Sequence, residues 1–351
     1  MYNAIYLHGS SDLDEGRGGM LSMKRGRIAV ALALMVCLLG ATSALAAGKF
    51  ITIVTGTTGG TYYPVGTILA NHFNSVLGSK GYKWSAQSSG GTAENLEMMR
   101  KKEAEMAIAM ANLTGFAYTG TVRYEGKRIE NLRYVMGLWP DVTQFVVRED
   151  AKISTWKDLK GKKVAVGPAA SGTEFSSRVI LKAVAGLTFD DIVPERVGYT
   201  EASQALQNGQ IHAFNAEAGV PVGAVSELLA GRTKVKFLEF SDEDLQRLRK
   251  EGPYYYRVVV PAGTYPKQDK PLNLAGIKSA LIVDKSVPDQ VVYDMLKVIY
   301  DNKDRMVKEY GAFAKIDYEK PLDGLFGAPL HPGAIKFFMD RGIKIPPRLL
   351  P

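Results

Sequence analysis

The stretch "TGTTGGTYYPVGTILANHF", residues Thr55–Phe73, decides the fold. It completes "KFITIVTG", an alternating β-branched run ending in glycine, and continues into apolar residues at helical spacing. Strand, glycine-rich turn and helix are therefore predicted in that order. Two phosphate-gripping motifs share this outline, and neither is met. A P-loop requires Lys followed by Ser or Thr after its last glycine, because the Lys neutralises the outer phosphates and the hydroxyl holds magnesium. Here Gly60 is followed by Thr61 and Tyr62, and Gly56, Gly59 and Gly60 do not have the G-x-G-x-x-G spacing of a dinucleotide loop. What remains is the helix start itself, with unpaired N–H groups, the positive end of the dipole and neighbouring hydroxyls. Pro64 fits just inside that helix, where its missing N–H costs nothing.

The same unit recurs along the chain. "KWSAQSSGGTAENLEMMRKKEAEMAIAMA" reads as strand, Ser/Gly/Thr turn, helix and strand, and "KKVAVGPAASGTEFSSRVILKAVAG" repeats the scheme. Ser or Thr before a helix usually does no more than cap it. Three such turns, at Gly56–Thr61, Ser88–Asn95 and Ser171–Thr173, imply helix starts converging at the carboxyl ends of parallel strands, where open α/β sheets bind ligands. "LRYVMGLW" and "TQFVVRED" are predicted as two strands, with Trp139, Pro140 and Asp141 between them where the chain crosses into a second domain. "GPYYYRVVVPAGTYP" is expected to cross back, and from "PDQVVYDMLKVIYDNKDRMVKEYG" onward the chain is expected to be helical. Hinges are expected at Thr143–Arg148 and Tyr256–Pro261, with domain I formed by 47–145 and 262–351 and domain II by 146–261.

At the N-terminus Lys24, Arg25 and Arg27 precede the apolar run Ile28–Leu39, and "ATSALAAG" follows. This is the pattern of a secretory signal peptide, residues 23–46, cut after Ala46, with 1–22 a misassigned start. The apolar run falls short of the roughly 20 residues of a spanning helix. Cys37 is the one cysteine and lies in that leader, so the mature chain has no thiol for a disulfide, a metal or a nucleophile. The net charge of +8 is spread without a basic stripe interleaved with aromatics, which disfavours nucleic acid as a partner. His72, His212 and His331 share no metal-ligand spacing, H-E-x-x-H is absent, and "AASG" around Ser171 is not a nucleophile elbow. No metal and no cofactor are expected.

In order and spacing, "GTTGGTYYPVG", "SGGTAENL", "VAVGPAASGTE", "AFNAEAGVP" and "PLHPGAI" resemble the TAXI-type solute-binding proteins of TRAP transporters across nearly the whole mature chain. The resemblance implies an α/β, two-domain, type II periplasmic-binding-protein fold with the ligand cleft between domains. It implies a periplasmic, non-enzymatic receptor that captures a small carboxylate, such as glutamate, glutamine or a dicarboxylate, and delivers it to a TRAP membrane permease. Carried over by position, the ligand-binding residues are Gly60, Thr61 and Tyr62, then Ser89, Gly90, Thr92 and Asn95, then Ser171, Gly172 and Thr173, with Phe214 and Glu217 facing the cleft. Two departures stand out. Met110, Ala111 and Asn112 replace a polar "QSD"-like stretch, and Asn215 follows the Phe of "AFN", with Glu217 nearby.

Several assignments stay open at this level. Either Tyr62 or Tyr63 reaches the cleft, with Tyr62 preferred. Trp139 lines the cleft or packs in a core, the latter favoured by its size. Arg178 steers a second carboxylate or is an exposed helix charge, and Glu174 suits the first turn of its helix. Glu217 pairs with a ligand amine or serves a surface or hinge role. Two rival functions follow from the same residues: an enzyme using Glu217 and His212 as acid and base, and a sensor module on the same scaffold.

Overall fold

The computed structural model describes residues 49–351; the expected leader, Cys37 and the start-site assignment lie outside them. The chain opens with β1 (Lys49–Val54), α1 (Tyr62–Leu77), β2 (Tyr82–Gln87), α2 (Thr92–Arg100), β3 (Met106–Met110) and α3 (Ala111–Thr119). The long β4 (Leu132–Arg148) leads to β5 (Lys163–Ala165), α4 (Gly172–Ile180), β6 (Val193–Glu195), α5 (Tyr199–Gln207) and β7 (Ala213–Ala218). Then come α6 (Gly223–Ala230), β8 (Val235–Leu238), α7 (Asp242–Glu251) and β9 (Tyr256–Val260). Finally β10 (Leu272–Asp284) returns to α8 (Asp289–Asp301), α9 (Lys303–Glu309) and α10 (Pro332–Asp340).

The strands run β2-β1-β3-β10-β4-β7-β5-β6, with β8 also on β4 and β9 on β10. Pairs β1–β3, β5–β6 and β5–β7 are parallel, as short βα units require, while β4 and β10 run antiparallel to every strand they touch. These two long strands join two lobes. Leu132–Trp139 of β4 and Ala280–Val283 of β10 contribute to one core with α1, β1, β3 and the C-terminal helices. Beyond Pro140 and before Ser279 the same strands enter the second lobe, where the sheet is covered on both faces. Phe145, Val147, Ala275 and Ile277 point to one side, and Val142, Val146, Leu272 and Leu274 to the other, the alternation a pleated strand imposes. Each fully buried Leu, Ile or Phe in these cores contributes about 1.5–3 kcal/mol.

Three expectations are corrected. "LRYVMGLW" and "TQFVVRED" form one strand, because Pro140 falls beside the register shift between Lys278 and Ala280, where a missing N–H is tolerated. The return crossing lies in β10 near Gly276–Ser279 rather than at Tyr256–Pro261. Strand β9 pairs with Leu272–Gly276 inside the second lobe, and Tyr265 packs in that lobe's core. The outward crossing lies at Pro140–Val142, since Thr143–Val147 already pair with β7. From Asp289 the chain runs, as expected, in helices, two of which meet at Asn302, whose side-chain amide bonds back to Val298 O.

Candidate functional site

Between the lobes lies a narrow cleft of about 30 Å³, partly open to solvent. Its first wall is Gly56, Thr57 and Gly60–Tyr62 from the turn before α1, Gly90–Thr92 from the turn before α2, and Met110 at the end of β3. The second wall is Pro168 and Ser171–Thr173 before α4, Tyr199 at the start of α5, and Glu217 and Ala218 of β7. The starts of α2 and α4 face each other. A β-carbon added at Gly172 would lie 2.5 Å from Met110 Sδ and 3.2 Å from Thr92 Oγ1, so the absence of a side chain is what lets the walls approach. Gly91, the residue capping α2, has φ +113° and is also placed where glycine is preferred.

The turns use their hydroxyls differently. Ser171 Oγ accepts from Glu174 N and caps α4. Thr61 makes no cap; its Oγ1 donates to Gly219 O of the opposite wall at 2.6 Å, a bond between the lobes. Thr92 Oγ1 accepts from Met110 N at 3.1 Å, leaving its own proton available. Thr173 Oγ1 and Tyr199 OH are 2.6 Å apart, and Tyr199 OH donates to Glu217 O. Phe116 of α3 meets Phe175 of α4 edge to face at 6.5 Å, a second contact between lobes.

Tyr62 reaches the cleft and Tyr63 does not line it. The Tyr62 hydroxyl donates to Asp141, which also accepts from Trp139 Nε1 at 3.2 Å. Burial lifts the Asp141 carboxyl to about 8 against the pull of these two donors. Burial, reinforced by Asp141, also raises Tyr62 well above an ordinary phenol. Glu217, 3% exposed, is pushed well up by burial, with Ser176 pulling the other way and Asp141 adding to the rise. Neither of its carboxyl oxygens has a hydrogen-bond partner among the described residues. Among the described residues no Lys or Arg lines this cleft.

Of the residues carried over, Gly60, Thr61, Tyr62, Gly90, Thr92, Ser171, Gly172, Thr173 and Glu217 share the cleft lining. Ser89, Asn95 and Phe214 do not. Asn95 is fully buried; its amide donates to Thr55 O at 2.6 Å and Ile108 O at 2.8 Å, and its carbonyl accepts from Ser89 Oγ at 2.6 Å. It ties β1, β3 and the second turn together. Phe214 lies in the core behind β7. Trp139 is fully buried. Arg178 stands over the Phe189 ring, 4.0 Å from its centroid, away from the cleft lining. His72 meets Glu309, His212 accepts from Lys163 N, and His331 caps α10. His212 precedes Glu217 by five residues along an extended segment, roughly 16 Å, so the two do not form an acid–base pair.

Tyr199, Asp141 and Met110 complete the site and were not singled out as ligand residues by sequence. For Tyr199 a signal existed, since "VGYTEAS" is a fourth strand-turn-helix entry. Asp141 gave none, because its role depends on Tyr62 arriving from residues far away in sequence.

The model of the NMT1-like family matches residues 53–342, and the chain belongs to that family. Among solved structures it is similar to MatC from Rhodopseudomonas palustris with bound malate, with a TM-score of 0.52 and 16% identity over 78% of this chain and 92% of that one. It is also similar to the periplasmic aliphatic sulphonate binding protein SsuA from Escherichia coli, with a TM-score of 0.44 and 18% identity over 83% of each chain. A third is the alkanesulfonate-binding protein SsuA from Xanthomonas axonopodis pv. citri bound to MOPS, with a TM-score of 0.46 and 16% identity over 86% of this chain and 96% of that one. The architecture is the α/β two-domain type II periplasmic-binding-protein fold with an interdomain cleft.

Proposed function

We propose that this member of the NMT1-like family is a periplasmic, non-catalytic receptor that closes its two lobes on a small organic anion, a carboxylate or an amino acid. The observation that carries this reading is the opposition of the α2 and α4 starts across one cleft, with the hydroxyls of Thr92, Thr173 and Tyr199 beside them. With no Lys or Arg on the described walls, a carboxylate is held by amide N–H groups, helix dipoles and the Thr92 hydroxyl, since Tyr199 donates to Glu217 O and Thr173 to Tyr199. Lobe closure turns on the strand crossings at Pro140–Val142 and Gly276–Ser279, with 49–140 and 279–351 moving as one lobe and 142–277 as the other. Gly60, Thr61, Tyr62, Gly90, Thr92, Ser171, Gly172, Thr173 and Glu217 are the ligand-facing set, and Ser89 and Asn95 support it.

The transport system is a TRAP-type permease of the TAXI class, which rests on the order of the turn motifs. That partner is tested by solute uptake in vesicles carrying such a permease, which should require this protein. The receptor reading is tested by titration calorimetry and melting shifts against glutamate, glutamine and C4 to C5 dicarboxylates. A saturable shift with the solute recovered unchanged is expected. Silence across the panel, or turnover of the solute, would overturn it.

A further inference from the structure

Behind Glu217, away from the open part of the cleft, several polar side chains are buried together without partners. Glu217 and Asn215 of β7 pair in register with Thr143 and Phe145 of β4, so that all four side chains share one face of the sheet. Ser176 covers that face from α4, and Tyr255 enters from the segment before β9. All five are 3% exposed or less. The atoms left without a hydrogen-bond partner among the described residues are Thr143 Oγ1, Ser176 Oγ, Asn215 Oδ1, both carboxyl oxygens of Glu217 and Tyr255 OH. Every one is oxygen. The amide of Asn215 is oriented by its own donor, since Nδ2 bonds Ser177 Oγ at 3.0 Å and Ser177 bonds Val166 O. Its carbonyl is thereby left for something else.

From this geometry we infer a site for a small hard cation, with sodium as the occupant, coordinated by Glu217, Asn215, Thr143, Ser176 and Tyr255. Hard cations take oxygen ligands, and the set supplies oxygen alone. Ser176, Asn215 and Thr143 all lie beside Glu217, yet neither carboxyl oxygen has a hydrogen-bond partner among the described residues. Charge selects the ion. With a cation bound, Glu217 is ionised and brings one formal negative charge while the other ligands are neutral, which matches a monovalent cation better than a divalent one. A buried carboxylate with no positive neighbour is costly, and Glu217 is in no ion pair among the described residues. A ligand ammonium is a poorer occupant. Of the five groups only Glu217 lines the cleft, so an organic cation would reach one ligand and leave the other four unmet. The site goes beyond the receptor reading and does not depend on it.

The test is made on the purified protein without solute, in choline chloride at constant ionic strength, by adding NaCl, KCl or CaCl2 and following melting temperature and binding heat. Sodium is expected to raise the melting temperature saturably, potassium less. Ser176→Ala and Thr143→Val, both small changes, are each expected to weaken the sodium response at least tenfold, and Glu217→Gln to abolish it. Identical melting in sodium, potassium and choline would overturn the proposal, as would a response confined to calcium or one that survives Glu217→Gln. A sodium-silent protein that binds amino acids but not the matching dicarboxylates would also overturn it, and would give Glu217 to a ligand amine. Because no organic solute is present in the first titration, a failed solute panel leaves the ion result readable, and the reverse.

Discussion

Asp284 and Glu217 are both carboxylates near the ends of strands, 2% and 3% exposed, and they sit in opposite surroundings. In the first lobe Asp284 receives Lys102 Nζ at 2.5 Å, the amide of Asn131, and Ser286 N at 2.9 Å. Burial works to raise its pKa, but Lys102, Ser286 and Asn131 outweigh it and hold the carboxyl below its ordinary value. In the second lobe Glu217 has no partner among the described residues and is pushed up. The same contrast separates Asn95, whose amide and carbonyl are both engaged by the protein, from Asn215, whose carbonyl is left over. A polar group fully met by its own chain holds the fold. One left unmet at a cleft is where a bound species finds its contacts.

That contrast can be broken by substitution. Asn95→Ala removes the donor to two backbone carbonyls and is expected to cost about 3 kcal/mol in urea unfolding; a loss under 1 kcal/mol would mean that Asn95 is not a structural tie. Next in size is Asp284→Asn, with a cost of about 2 kcal/mol near neutral pH. Its sign with pH follows from the depressed pKa. The stabilisation is present above the unfolded-state value near 3.9 and disappears as pH falls through the lower folded value. Wild type and variant should therefore converge in acid, and a gap that widens there would contradict the pairing.

Gly172→Val is expected to weaken solute binding at least tenfold, about 1.4 kcal/mol, with a small change in solute-free melting. The new side chain meets the flexible end of Met110 across the cleft. A large fall in melting temperature without solute would mark Gly172 as a structural turn glycine. The smallest effect is Glu217→Gln in sodium-free buffer. Relief of a buried, unpaired carboxyl should leave stability unchanged or raise it by about 1 kcal/mol. A loss comparable to that at Asp284 would show that Glu217 is already satisfied by its own chain, and the contrast would fail.

The architecture was legible in the sequence wherever local pattern decides it. The β-branched run before Gly56, the Ser/Gly/Thr turns and the Gly stops are set by nearest neighbours, and the structure has those elements. The single strand through Pro140 was not legible. Its continuity depends on a register shift in β10, more than a hundred residues later in the chain. The return crossing was misplaced for a related reason, since β9 looks like a connection until β10 pairs with it. Within the site, turn residues such as Thr92 and Gly172 announced themselves by type. Asn95 occupies the same turn but faces the backbone carbonyls of Val54, Thr55 and Ile108 instead of the cleft, and nothing in "GGTAENL" distinguishes those directions. Asp141 and the oxygen cluster around Glu217 are assembled from β4, β7, α4 and the segment before β9, so no local stretch carries them.

The central claim is that the α2 and α4 starts grip the anion, and a crystal structure of the protein with a solute from the responding panel tests it most directly. The predicted result is a carboxylate with oxygens about 3 Å from the amide nitrogens at Thr92 and at Gly172 or Thr173. A solute seated instead in the groove between Tyr254, Phe326 and Lys278, remote from both helix starts, would contradict it.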